Sequence, residues 1–396
     1  MQSSFGSQCF LEVRKLKLAG FDFKRIVSLW KKKGLYKLTE APQGPQGSAT
    51  SVMNAKKLKY FSNDLELQRK RFGIVAKPNP KHPQRTLSVQ RLLSGLEGEL
   101  RISLSKRFFS AYWEEGEDLE DISVIKRIVS QSKLLAEEQV EKVIESSKQI
   151  LQKNTEEAVG HGAFGVPSFL VHNPKVGNVQ KLFFGCDRLH FVRRACGEEE
   201  ASQPRLFTSP PSSPQKISFF FDFSSPWTFL AATQIQRIAS ETNSVLELRP
   251  FLLGALFKKV GTDNVPMLSL PPLKRAYMSR GSFFAEIFIS NFLILYFREK
   301  DLLDWAEYWK VPFKFNTHFP IRTVLPLRVL IASGNDEKLF SALFKCAWVE
   351  DEDISHSKIL EKILKQNGFD SEKLLKLANQ DSVKQILFQN TDEGFF

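Results

Sequence analysis

The sequence predicts an α/β protein, rich in helix, in which short strands frame helical domains. Three observations predict it. Residues 217–250 read as strand, turn, helix and strand; residues 168–184 read as two strands bounded by Pro and Gly; and two long segments, 57–158 and 273–393, carry helical periodicity.

Each element has a local reason. Ile217–Phe223, "ISFFFDF", is mostly apolar and alternates poorly, which reads as a buried strand. Pro226 has no N–H to donate and a fixed φ, so it suits the first turn of a helix running to about Ser240. Val245–Pro250 is the next strand. Residues 273–393 are helical apart from 281–300, with Trp305, Tyr308 and Trp309 on one face; residues 57–158 read the same way. Ser168–His172 and Lys181–Phe184 are paired strands, and a helix follows from Asp187. The full order is β-α-β, a helical insert, then β-β-α, a thioredoxin-like core with a helical domain spliced into its middle.

No single stretch carries that order, because the chain repeats itself. Asn79, Pro83, Arg85, Thr86 and Arg91 recur 237 residues later as Asn316, Pro320, Arg322, Thr323 and Arg328. Trp113 faces Trp348, and "KQILQKNTEEA" (148–158) faces "KQILFQNTDEG" (384–394). A register kept over so many residues predicts a tandem duplication. Both copies are incomplete. Copy one, 48–195, has the helical domain and the C-terminal β-β-α. Copy two, 217–396, has the N-terminal β-α-β and the helical domain, with residues 281–300 as an insertion. Residues 1–47 form a basic extension. Residues 196–216, rich in Ser, Pro and charge, form a linker that can span about 60 Å when extended. Strands 217–250 are therefore expected to pair with strands 165–185 in one composite core; the alternative is two separate fragments.

Composition narrows the function classes. A net charge of +12 is spread over the chain and suits solvated helical faces, and no zinc-finger, RNP-like or P-loop pattern points to nucleic acid. The longest apolar run, Ser282–Phe297, is short for a membrane span and carries Glu286 and Asn291. Cys9, Cys186, Cys196 and Cys346 form no C-x-x-C and have no His at zinc spacing, so neither a metal nor a dithiol centre is expected. The basic first 34 residues resemble a mitochondrial presequence, and "DEGFF" is no peroxisomal signal, so a mitochondrial or cytoplasmic location is expected.

Four places could carry chemistry. Ser225, ahead of Pro226 and Trp227, stands at a helix N-terminus. It is either a plain N-cap or a hydroxyl donor to a thiolate drawn by the helix dipole. Val166 and Pro167, in "GAFGVPSF", are either an ordinary strand entry or a forced turn offering the Val166 backbone to an extended ligand. Cys186 and Asp187, in "GCDRLHF", either cap a helix or hold the two charges of an α-amino acid, with Asp187 placed as N-cap. Lys274 and its repeat partner Lys57 could meet an anion or simply be solvated, and Asn264 sits in a turn.

The segments "FFFDFSSPWTFLA", "RPFLLGALFKKVGTDNVPM", "NTEEAVGHGAFGVPSF" and "LFFGCDRLHF" resemble the family uniting kappa-class glutathione transferases with 2-hydroxychromene-2-carboxylate isomerases. The resemblance covers about residues 48–195 and 217–394. It implies a DsbA-type thioredoxin fold with glutathione as cofactor or co-substrate, and a homodimer is one arrangement it allows. By position Ser225 matches the residue that stabilises the glutathione thiolate, with Pro226 and Trp227 beside it. Asn264 and Lys274 match ligand-contacting positions. Val166 and Pro167 match the cis-proline turn that pairs with the cysteinyl backbone, and Cys186 and Asp187 match the pair that holds the γ-glutamyl end, usually Ser in place of Cys186. The expected function is a glutathione transferase acting on electrophiles or hydroperoxides. The alternatives are the glutathione-dependent isomerase acting on an aromatic substrate, or a catalytically inactive paralogue.

Overall fold

A computed structural model describes residues 55–173, 179–197, 213–261 and 300–395. The basic extension, most of the linker, Asn264, Lys274 and nearly all of the 281–300 insertion lie outside the described residues. The chain forms two compact units, Met1–Glu200 and Ala201–Phe396.

Unit 1 opens with α1 (Ala55–Phe72), then α2 (Leu87–Ser94), α3 (Gly98–Ser110), a π turn (Ala111–Glu115), α4 (Ile122–Ser132), α5 (Glu137–Ser146) and α6 (Lys148–Gly160). Strands β1 (Ser168–Asn173) and β2 (Val179–Phe184) follow, then a 3₁₀ turn (Cys186–Arg188) and α7 (Leu189–Ala195). A buried cluster including Leu92, Leu104, Phe108, Ile125, Ile128 and Val140 holds the helices together.

Unit 2 runs β3 (Gln215–Phe221), α8 (Pro226–Glu241), β4 (Ser244–Pro250) and α9 (Leu253–Lys259). Its helical part is α10 (Lys300–Trp309), α11 (Val324–Ala332), α12 (Glu337–Trp348), α13 (Ser357–Gln366), α14 (Ser371–Leu377) and α15 (Asp381–Glu393). One cluster spans both parts, from Phe221, Phe223 and Phe229 to Leu330, Phe340, Phe344 and Trp348.

The sheets are small. β1 pairs antiparallel with β2, Ser168 opposite Phe184, and β3 pairs parallel with β4, Gln215 opposite Ser244. The pairing of strands 217–250 with strands 165–185 that a composite core requires is not among the described strand pairs: each sheet keeps its own two strands. β3 also departs from the expected buried strand. Gln215, Lys216 and Ser218 are exposed, and full burial begins only at Phe221, because the helical part covers just the end of the strand.

The two helical parts repeat one another in detail. Asn79 donates to the carbonyls of Tyr112 and Glu117 at 3.0 and 3.1 Å and accepts from the Lys81 amide; Asn316 donates to Ala347 and Glu352 at 2.7 and 2.9 Å and accepts from the His318 amide. The Lys77 amide meets the Trp113 carbonyl as the Lys314 amide meets that of Trp348. The His82–Pro83 and Phe319–Pro320 bonds are both cis. A buried amide that bridges two segments so fixes a loop that has no secondary structure of its own.

The parts differ where unit 2 meets its β-α-β element. Phe340 packs edge-on against Phe221 at 4.9 Å, Phe344 against Phe223 at 4.6 Å, and Phe313 lies over Phe229 at 6.1 Å. The buried Trp348 indole N–H donates to the Phe223 carbonyl at 2.8 Å. The far end is tied by α15: Asn390 donates to the Pro250 carbonyl, Thr391 accepts from the Leu252 amide, and Glu393 pairs with Arg249. In unit 1 the equivalents of Phe340 and Phe313 are Ser105 and Ala76, and those of Phe319, Ile321 and Ala347 are His82, Gln84 and Tyr112. These last three form a polar set. His82 Nδ1 lies 2.8 Å from the Tyr112 hydroxyl, and Gln84 bonds the Glu117 carbonyl and the Leu119 amide.

Replacing Asn79 or Asn316 by Ala leaves buried carbonyls without donors and should lower the stability of the unit concerned by about 1–3 kcal/mol, read from urea denaturation. Equal stability of both variants and the wild type would refute the bridging role.

Candidate functional site

The strand-to-helix junction at 221–229 is built around a short turn. β3 ends at Phe221, and the Asp222 side chain accepts from the Ser224 amide while its carbonyl accepts from the Ser225 amide at 3.2 Å. Ser225 then leaves the turn in an extended conformation, φ −102° and ψ 117°, as the N-cap of α8. Its Oγ accepts from the Thr228 amide at 3.2 Å, and its carbonyl accepts from the Phe229 amide at 3.1 Å. Pro226 fills the first helical position, where a missing N–H costs nothing.

That geometry leaves two donors at the helix start. The Ser225 hydroxyl uses its oxygen as acceptor, and among the described residues its proton has no acceptor. The Trp227 amide likewise has no acceptor among them. Ser225 is half-buried and Trp227 is 37% exposed, so the start of α8 lies at the surface of unit 2. The positive end of the α8 dipole adds to the two donors. An anion, a thiolate included, meets a hydroxyl, an amide and a favourable field here.

Beneath this surface lies Asp222, which the sequence reading passed over. Its side chain is 2% exposed and accepts from Thr323 Oγ1 at 2.6 Å, Leu253 N at 2.8 Å and Ser224 N at 3.0 Å. Burial pushes its carboxyl up from the ordinary range, against the downward pull of those donors. The signal in the sequence was an aspartate inside an aromatic run, a charge that needs partners if it is buried.

In unit 1 the Val166–Pro167 bond is cis, and the Pro167 carbonyl accepts from the Gly185 amide at 3.0 Å, which sets this turn beside the end of β2. Both residues are half-buried, and among the described residues the Val166 N–H and C=O have no hydrogen-bond partner. Asp187 is not the N-cap expected of it. The chain turns directly after β2 in a 3₁₀ turn whose N-cap is Gly185, and α7 begins at Leu189 with Arg188 as its cap. Asp187 therefore lies inside the turn, its side chain 57% exposed and paired with Arg188. Gly185 has φ 104°, a backbone conformation that residues with a side chain rarely adopt, so the turn favours glycine here. Cys186 is half-buried in the same turn. Cys186, Cys196 and Cys346 are thiols, and burial with the neighbouring Glu350 pushes Cys346 up to about 12. Among the described residues no helix is long and apolar enough to cross a membrane, and no group of three or more His, Cys, Asp or Glu side chains could hold a metal ion.

The profile of the DSBA-like thioredoxin domain matches residues 31–197 and again 216–395, and the chain belongs to that family. It is similar to two Caenorhabditis elegans proteins. Glutathione S-transferase kappa 2 is 24% identical over 189 residues, 45% of this chain and 74% of the relative. Glutathione S-transferase kappa 1 is 24% identical over 191 residues, with the same shares. A solved structure of 2-hydroxychromene-2-carboxylate isomerase is 15% identical, with a TM-score of 0.35, over 46% of this chain and 79% of that one.

Replacing Ser225 by Ala removes the cap and should lower the stability of unit 2 by about 1 kcal/mol, whereas Asp at this position keeps an acceptor for the Thr228 amide and should restore most of it. Thermal unfolding of the two variants checks this; equal loss in both would show that Ser225 does not cap α8.

Proposed function

We propose that the protein is a glutathione-dependent transferase in which the Ser225 hydroxyl donates a hydrogen bond to the glutathione thiolate. The observation that carries this reading is the pair of donors with no acceptor among the described residues, the Ser225 hydroxyl and the Trp227 amide, at the start of α8. The family match and the likeness to the two kappa transferases support it. Serine here has no adjacent base, so it is a poor nucleophile. As a donor it suits a thiolate brought by another molecule.

On this reading the thiol of bound glutathione ionises more readily than in water, because a hydroxyl, an amide and the helix dipole stabilise the anion. The thiolate sulfur attacks an electrophilic carbon of a small substrate, a carbon–sulfur bond forms, and the leaving group departs with the electron pair. Trp227 offers an apolar surface beside that sulfur. Each unit is taken by itself for the other residues that the resemblance matches. In unit 1 the Val166 backbone at the cis Pro167 turn suits an extended peptide strand, and Cys186 and Asp187 suit a γ-glutamyl end; in unit 2 Asn264 and Lys274 match ligand-contacting positions.

The test is conjugation of chlorodinitrobenzene with glutathione by the purified protein. Ser225→Ala and Ser225→Asp should each lower the rate by about 100-fold or more, although Asp restores the cap. A stable Ser225→Asp variant with the wild-type rate would remove Ser225 from the chemistry. No conjugation, together with no rise in melting temperature in glutathione, would overturn the reading as a whole.

A further inference from the structure

We propose that Asp222 is the positioning residue for Ser225, a role that rests on the reading of Ser225 as the donor to the thiolate. The carboxylate joins three element ends at once. Through Oδ1 it accepts the Ser224 amide, one residue before Ser225, and the Thr323 hydroxyl at the N-cap of α11; through Oδ2 it accepts the Leu253 amide at the start of α9. Its main-chain carbonyl accepts the Ser225 amide itself. The direction of the Ser225 hydroxyl is thus set by a turn whose other side is clamped to two helices.

The choice of a carboxylate is specific. The Ser224 and Leu253 amides and the Thr323 hydroxyl converge on it, with the Ser224 hydroxyl contributing as well, and no ion pair to it is found among the described residues. An asparagine has one acceptor oxygen and one NH2 group, and would leave either the Leu253 amide or the Ser224 amide facing a donor, whereas the Thr323 hydroxyl can turn to accept. Such a mismatch in a buried place loosens the turn. A small displacement of a group that must touch the reacting atom costs rate steeply, roughly 10- to 100-fold for shifts up to an ångström.

Asp222 does not touch substrate in this scheme, so the test needs readouts that a merely structural residue would leave unmoved. Asp222→Asn, Thr323→Val and Thr323→Ser are made in the full chain. The kcat and KM for glutathione, the pH–rate profile and the ultraviolet thiolate absorbance of bound glutathione are measured well below each variant's melting transition. Asp222→Asn should lower kcat about 10-fold or more, leave KM for glutathione less changed, and move the rate profile and the thiolate titration to higher pH. Thr323→Val should move both the same way by less, and Thr323→Ser, which keeps the hydroxyl, should behave as wild type.

A folded Asp222→Asn with the wild-type pH profile overturns the proposal. If Asp222→Asn does not fold, the Thr323 pair decides it: equal profiles for Val and Ser overturn it, and a shift in Val alone supports it. The two claims fail separately. Full activity in Ser225→Ala removes the reading of Ser225; an inactive Ser225→Ala beside an unshifted Asp222→Asn removes only the positioning role.

Discussion

The buried carboxylate of Asp222 is the constraint on which unit 2 depends. A strand that ends in water can stop anywhere, but β3 ends at a carboxyl group whose oxygens must find donors in the interior. Those donors are the first amide of α9, a turn amide and the hydroxyl that precedes α11. Once they are met, the β-α-β element and the helical part cannot slide past one another. The Trp348 indole on the Phe223 carbonyl and the Phe340 and Phe344 rings then fill the joint. Ser225 inherits its orientation from that joint.

The repeat shows what the joint requires, because among the described residues unit 1 has the same helical scaffold without those contacts. The buried asparagine bridges and the cis prolines agree between the two parts. Thr86 stands where Thr323 stands and Trp113 where Trp348 stands, but Ser105 and Ala76 replace the phenylalanines of the joint. His82, Gln84 and Tyr112 bond among themselves and to neighbouring backbone where unit 2 has apolar side chains. Burial holds the Tyr112 hydroxyl at about 12 and lowers His82, so this pair is neutral at physiological pH.

Much of this was legible in the residues. Pro226 marked the start of α8, the Pro and Gly boundaries marked β1 and β2, and the constant spacing of Asn79 and Asn316 marked two equivalent helical parts. The strand pairing was not legible, because period and composition say that a strand exists and not which edge it pairs by. Asp187 was misplaced because a 3₁₀ turn and a helix cap share the same residue types. Asp222 was missed for a plainer reason: its donors come from Ser224, Leu253 and Thr323, and only the fold brings the last two to it.

Ser225 has two roles in this account, a cap through its oxygen and a donor through its proton, and they do not compete. The cap fixes the side chain and leaves the proton without an acceptor among the described residues. A crystal structure of the protein with glutathione tests this most directly. The account predicts the glutathione sulfur within hydrogen-bond distance of Ser225 Oγ, with the Thr228 amide and the Asp222 contacts kept. A glutathione sulfur held away from Ser225 and from the start of α8 would contradict it.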